Sequence, residues 1–388
     1  MIEDVDLASR WLGGSVLAAS DESFGEKENL LNPLAAAFEP GHYGNRGEIV
    51  DGWETRRRRE PGHDWALIRL GAPGVISSID VDTSFFTGNF PEFCFIEACG
   101  REGYPGPAEL NDNDCDWVAL VPRSPLRGDR PNSFRVSDER RFTHLRLSIY
   151  PDGGVARLRV FGRALPDPRA LDGVTVDLAG QEHGGAVVAT SDGFYTSAQL
   201  LNRPDTARTM GEGWETRRRR DAGHDFVVIQ LAFAGTVRRL VVDTAHFKYN
   251  ATDAISVYGC ADEVAPSVDS SDWRPLLGRT RLQPDTRHVF RIAEGSPVGS
   301  IRLDAFPDGG LSRVRVLGTI DPAARRRAGY RWFNALPASQ AIRCLIDSGL
   351  HEGQSSEIVG QRPLAEGPAG IPAELAAILD GSVPTPEG

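Results

Sequence analysis

Residues 51–65 of the 388-residue chain read DGWETRRRREPGHDW, and residues 211–226 read GEGWETRRRRDAGHDF. Trp53 matches Trp214, His63 matches His224, Asp82 matches Asp243 and Asn89 matches Asn250, all at one spacing. Further along, Trp117 matches Trp273, Phe134 matches Phe290, and YPDGGVARLRVFG (150–162) matches FPDGGLSRVRVLG (306–318) at a slightly shorter one. Upstream, AASDESFGEKENLLNP from Ala18 is echoed by ATSDGFYTSAQLLNRP from Ala189. Small drifts mark loop insertions, while order and content persist over about 150 residues; this is a duplicated domain, not a short-period solenoid.

Within each copy the pattern is that of strands. WALIRLG, VISSIDVDTSFF, HLRLSIYP and VARLRVFG alternate apolar and polar residues between Gly, Pro and Asp, as do FVVIQL, VRRLVVDTAHF, SIRLDAFP and SRVRVLG in the second copy. Helical periodicity is scarce before residue 320. The expected fold is all-β: two tandem β-sandwiches of jelly-roll type, spanning 1–165 and 174–320. The linker falls near RALPDPRALDG, residues 163–173. Residues 321–388 form a short helical and Pro/Gly-rich tail: RWFNALPASQAIRCLIDSGL has a Pro at a helix start followed by Ala341, Ile342, Leu345 and Ile346, and IPAELAAILDG ends at a glycine.

Composition narrows the class. The chain is 40% hydrophobic and 25% charged, as globular proteins are, and no apolar run approaches a membrane span. Its net charge of −11 argues against a nucleic-acid partner. The acidic start MIEDVDLASRW lacks the basic-then-apolar order of a signal peptide. Five cysteines without a CxxC pair predict a reducing, cytoplasmic setting, with neither a disulfide framework nor a zinc site. Only Lys27 and Lys248 are lysines among the 43 basic residues, so arginine runs partly reflect composition.

A single four-arginine run is usually a solvated face. Its recurrence with Trp, Glu, Thr, Gly, His and Asp in register points to more, although duplicated folds keep structural residues too. Treated as extended, WETRRRR places Glu54, Arg56 and Arg58 on one side, and Glu215, Arg217 and Arg219 likewise. Guanidinium forks bind carboxylates bidentately, and the GHD that follows adds an imidazole and a carboxylate. The candidate acid–base residues are Glu54, His63 and Asp64, with Glu215, His224 and Asp225. Candidate substrate ligands are Arg56, Arg58, Asp82 and Asn89, with Arg217, Arg219, Asp243 and Asn250, joined by His246 and Lys248 of the second copy alone. Trp53 and Trp214 suit core anchors, and PDGG suits a hairpin turn. No metal ligand set, covalent nucleophile or phosphate-binding glycine loop is apparent, so no cofactor and no metal are expected.

GWETRRRR followed by GHDW or GHDF, then DTxxF and Asn, resembles the allantoicase (allantoate amidinohydrolase) family, from about residue 10 to 320 in both halves. The resemblance implies two jelly-roll repeats of the galactose-binding and discoidin-like type. It implies hydrolysis of allantoate, a small-molecule substrate, to ureidoglycolate and urea in purine (allantoin) degradation, by a homo-oligomer without nucleic-acid or membrane partners. FNALPASQAIRCLIDSG in the tail resembles the start of a ureidoimidazoline (OHCU) decarboxylase, expected here as a remnant without that activity.

Allantoate carries one carboxylate and two ureido groups on a single carbon. Arginine suits the former; carboxylate, Asn and Arg suit the latter. Urea loss needs a proton for the leaving nitrogen and a base for water, each worth about 10²–10⁴-fold. Loss through an imine-like intermediate followed by hydration is the favoured route, with direct displacement as the alternative; one active site per chain and two both fit. The competing class is a non-catalytic tandem ligand- or carbohydrate-binding sandwich, which would favour aromatic platforms over repeated Arg, Glu, His and Asp.

Overall fold

The computed structural model describes residues 4–45, 47–111, 115–293, 295–367 and 371–381. The chain divides into two compact units, Asp4–Leu165 with Phe333–Pro363, and Pro166–Trp332 with the segment from Leu364. Each is built on one jelly-roll β-sandwich.

In the first unit the spine is strand Asp64–Asp82. Its first half pairs with Arg141–Tyr150 and Ser15–Ala19, its second half with Arg157–Ala164 and Pro131–Arg135. Phe93–Cys99 lies beside Arg141–Tyr150, Val118–Pro125 lies beyond it, and Val5–Asp6 edges Arg157–Ala164. The sequence predicts two strands here, broken at Gly71-Ala-Pro-Gly74. The structure instead has one strand that changes partners at that point. The N–H groups of Gly71 and Ala72 donate to the Leu7 carbonyl at 2.8 and 3.2 Å, and Leu165 N–H donates to the carbonyl of Pro73 at 2.8 Å. A proline is tolerated in the crossover because it sits between two ladders.

Alternation then sorts the side chains. Ile68, Leu70, Ile79 and Val81 of the spine meet Ile96, Leu145, Leu147, Ile149, Leu158 and Val160 in a fully buried core capped by Trp53. Residues of the opposite parity on the same strands, Trp65, Glu97, Arg146 and Tyr150 among them, face away from that core.

The second unit repeats the plan. Its spine, Asp225–Asp243, pairs with Val298–Phe306, Ala186–Thr190, Arg313–Ile320 and Arg287–Arg291, and Ala254–Cys260 and Arg274–Arg281 extend the sheet. Trp214 caps this core as Trp53 does the other.

Among the described residues the tail has four helices, Pro322–Ala335, Ala338–Asp347, Glu352–Gly360 and Ala373–Asp380, two more than the sequence suggests. Pro337 does precede a helix that buries Ala341 and Leu345, but Ile346 is exposed. Gly381 closes the last helix at φ +72°, donating to the Ala377 carbonyl. The segment 321–388 is not a body of its own. Gln340 donates to Glu102 at 2.8 Å within the first unit, and Arg325 donates to Asp172 and to the Leu379 carbonyl within the second. Among the described residues, no helix is long and apolar enough to cross a membrane.

Candidate active site

The motif loop is set by its buried residues. The Trp53 indole donates to the Asp21 carbonyl and the Trp214 indole to that of Asp192, both at 2.8 Å. Thr55 exchanges bonds with Gly153 of PDGG, and Gly309 donates to Thr216 at 2.7 Å. Only Trp53–Glu54 and Trp214–Glu215 are strand, so the expected shared side of Glu54, Arg56 and Arg58 does not form. Beyond Thr55 the backbone is held by side chains: Arg56 N–H donates to Asp21 and Arg58 N–H to Asp152. Arg56 is exposed and pairs with Asp21 at 3.2 Å; Arg217 pairs with Asp192 at 2.8 Å and lies over the Phe194 ring.

Arg58 and Asp64 do meet, at 2.7 Å, and so do Arg219 and Asp225. Both aspartates are buried, and each also accepts a bond from a serine, Ser20 or Ser191. The motif glycine makes room for the arginine: a Cβ on Gly62 would stand 2.7 Å from the Arg58 guanidinium, and one on Gly223 2.8 Å from that of Arg219. Arg, Gly and Asp of the motif are thus one structural brace, written twice.

On the outward face of the first repeat this brace borders a cleft of about 630 Å³. Arg58, Gly62 and His63 form one wall, and Trp65, Phe95, Glu97, Arg146, Ser148 and Tyr150 form the rest. The cleft residues follow from register: Trp65 and Phe95 both flank Ser148, and Glu97 flanks Arg146. Glu97 accepts two bonds from Arg146, at 3.0 and 2.7 Å, and the Arg146 guanidinium lies over Trp117. His63 is exposed and stacks on Tyr150 with ring centroids 4.7 Å apart. Arg123 covers the Tyr150 ring at 4.5 Å. The sequence reading named Arg58 and His63 but missed Glu97, Arg146, Ser148 and Tyr150. The signal for Arg146, Ser148 and Tyr150 was the polar parity of HLRLSIYP; Glu97 joins them through the register of Phe93–Cys99.

The second repeat is wired differently at the same place. Asp304 stands where the first repeat has Ser148, and Tyr258 where it has Glu97. Arg302 grips both oxygens of buried Asp304 at 2.7 Å, and His224 Nε2 lies 3.3 Å from Asp304. His224 also packs on Phe306 at 4.6 Å.

The other predicted residues separate into two groups. Asn89 donates to Glu54 at 2.7 Å, and Asn250 to Glu215 at 2.7 Å, a pairing outside the cleft lining. Burial pushes the Glu54 carboxyl above its usual range, partly offset by the Asn89 bond. Asp82 and Asp243 instead accept from Ser84 and Ala245 two residues on, closing turns at the ends of the spines. His246 holds the Ala207 carbonyl at 2.9 Å in a backbone with φ +71°; Phe85, its counterpart in the first repeat, shares only the positive φ, +69°. Lys248 is exposed. Asp82, Asp243 and His246 therefore serve turn geometry.

Two jelly-roll sandwiches carrying a cleft of guanidinium, imidazole, carboxylate and hydroxyl groups define a tandem-repeat protein suited to a small polar anion. Residues 5–165 and 176–321 each match the allantoicase repeat. A probable allantoicase of Streptomyces coelicolor is 46% identical over 339 residues, 84% of this chain and 89% of that protein. One of Nocardia farcinica is 49% identical over 317 residues, 81% and 94% of the two chains. The crystal structure of allantoicase from Saccharomyces cerevisiae superposes with a TM-score of 0.68 at 35% identity, covering 81% of this chain and 93% of the other. The chain belongs to the allantoicase family. The family match ends at residue 321, before the tail helices.

Proposed function

We propose that the chain hydrolyses allantoate to ureidoglycolate and urea, and that the first repeat's cleft is where it does so. Family membership supports the hydrolase activity and disfavours a purely ligand-binding sandwich. One observation carries the location: His63 stands open to solvent among Arg58, Arg146 and Glu97, whereas His224 faces the carboxylate of Asp304. Arg58 and Arg146 supply the positive field for the substrate carboxylate while each keeps its own acidic partner. His63 donates a proton to the departing ureido nitrogen, and Glu97 takes one from the water that adds at the central carbon. The C–N bond to urea breaks, a C–O bond forms, and the two proton transfers cancel. The five free cysteines support a cytoplasmic setting, and the net charge of −11 weighs against a nucleic-acid partner; the family resemblance carries the expectation of a homo-oligomer.

The test is urea release from allantoate by the purified chain. Turnover that falls about a hundredfold in His63→Asn, with unchanged circular dichroism, supports the assignment. No urea at millimolar allantoate overturns the reaction. Full activity in His63→Asn overturns the site.

A further inference from the structure

We propose that the Glu54–Asn89 pair and its counterpart Glu215–Asn250 are ureido-binding sites, one on each repeat and separate from the cleft. Each pair joins residues 35 positions apart at 2.7 Å; in the second copy the Asn250 amide also donates to Met210 Sδ at 3.2 Å. The backbones beneath them are fixed. Glu54 lies on the short strand opposite Gly154, Glu215 lies on the one opposite Gly310, and Gly154 N–H donates to the Asn89 carbonyl at 2.8 Å.

The remaining valences suit one kind of ligand. Asn gives an N–H to Oε1 of the glutamate, which leaves Oε2 and the amide carbonyl to accept; Asn89 keeps a second N–H, whereas the Asn250 amide also donates to Met210 Sδ. A ureido group presents parallel N–H donors on one edge and a carbonyl on the other, complementary to that carboxylate and amide. Hydrogen bonds to an ionised carboxylate are the stronger kind.

A contact that only braces loops would be expected in the interior. The first pair opens outward, with Asn89 exposed and Glu54 half-buried, and in the second Asn250 and Glu215 are both half-buried. Exposed aromatic residues adjoin them along the chain. Phe24 is 50% exposed and donates its N–H to the Glu54 carbonyl; Phe85 shares a loop with Asn89. In the second repeat Tyr195 is 59% exposed beside Thr196, whose hydroxyl accepts from Glu215 N–H. Tyr249, adjoining Asn250, is fully exposed. The ligand class rests on the reaction proposed above; the pairs rest on geometry.

The probe is N-carbamoylglycine, a stable carboxylate with one ureido group, titrated calorimetrically into the full chain. Acetylglycine, which keeps the carboxylate and has no ureido group, is the control. Glu54→Gln and Glu215→Gln should each remove one binding event or weaken it about tenfold or more, the double variant removing both. Asn89→Ala and Asn250→Ala should do the same if either glutamine variant misfolds. Unchanged stoichiometry and affinity in the variants, or equal binding of acetylglycine, overturns the proposal. Loss of these events in a protein that does not turn over allantoate upholds the pairs and refutes the reaction. Turnover with titrations that no pair variant alters does the reverse.

Discussion

Ser148 and Asp304 occupy one position in two copies of one sheet, and the surroundings of the two histidines differ with them. In the first repeat Arg146 reaches sideways to Glu97 on the next strand, which leaves His63 and Ser148 facing an open cleft. In the second, Arg302 turns along its own strand to Asp304, and His224 closes on the same carboxylate. Duplication preserved the loops in near-identical form while the outer sheet face diverged. Difference between the repeats therefore marks where the two halves do different things.

The largest effects should fall equally on both halves. Trp53→Ala and Trp214→Ala each empty a fully buried indole site and should cost about 3–5 kcal/mol in denaturant unfolding. A cost confined to one repeat would break the equivalence of the scaffolds. Next comes a difference in chemistry. His63→Asn should lower kcat about a hundredfold and His224→Asn by less than about threefold, measured by urea release. The opposite ranking would move the active site to the second repeat.

Acid should also separate the halves. Burial, with Arg69 adding positive charge, pushes the His144 imidazole down to about 4, while the second repeat has Ser300 at the corresponding register position. An unfolded chain takes up this proton at the ordinary pH near 6.5, but the folded one does not until about pH 4. Stability is therefore complete above about pH 6.5 and is lost as pH falls toward 4, by roughly 2–3 kcal/mol. His144→Ser should flatten that part of the unfolding profile; an unchanged profile would discard the assignment. Smallest is the glycine pair. Gly62→Ala meets both the Arg58 guanidinium and a backbone at φ +148°, and should cost about 1–3 kcal/mol. Gly223→Ala meets the guanidinium without that backbone penalty and should cost less. Equal melting shifts would mean that the arginine contact alone decides.

Much of the scaffold was legible because it is local. Alternation in WALIRLG and HLRLSIYP gave the strands and their inward faces, and the indoles of WET were readable as anchors. The joining of two strands into one spine was hidden, since Gly71, Pro73 and Gly74 carry every mark of a turn and stay extended only because Leu7 and Leu165 pair with them. The arginine run misled for a similar reason. Arg56 and Arg58 are aimed by Asp21 and Asp152, which lie far away in the chain. The cleft was half visible: Arg58 and His63 belong to the repeated motif, but Glu97 joins them only through the register of Phe93–Cys99 on Arg141–Tyr150.

The spine strand has a consequence for synthesis. Every strand that pairs with Asp64–Asp82 comes from between Ser15 and Ala164, so its ladder can close before residue 225 leaves the ribosome. A chain with two near-copies of the same long strand risks trading them, the usual misassembly of tandem repeats. Here vectorial emergence removes the competitor in time: when Asp225–Asp243 is translated, the partners it could steal are already taken.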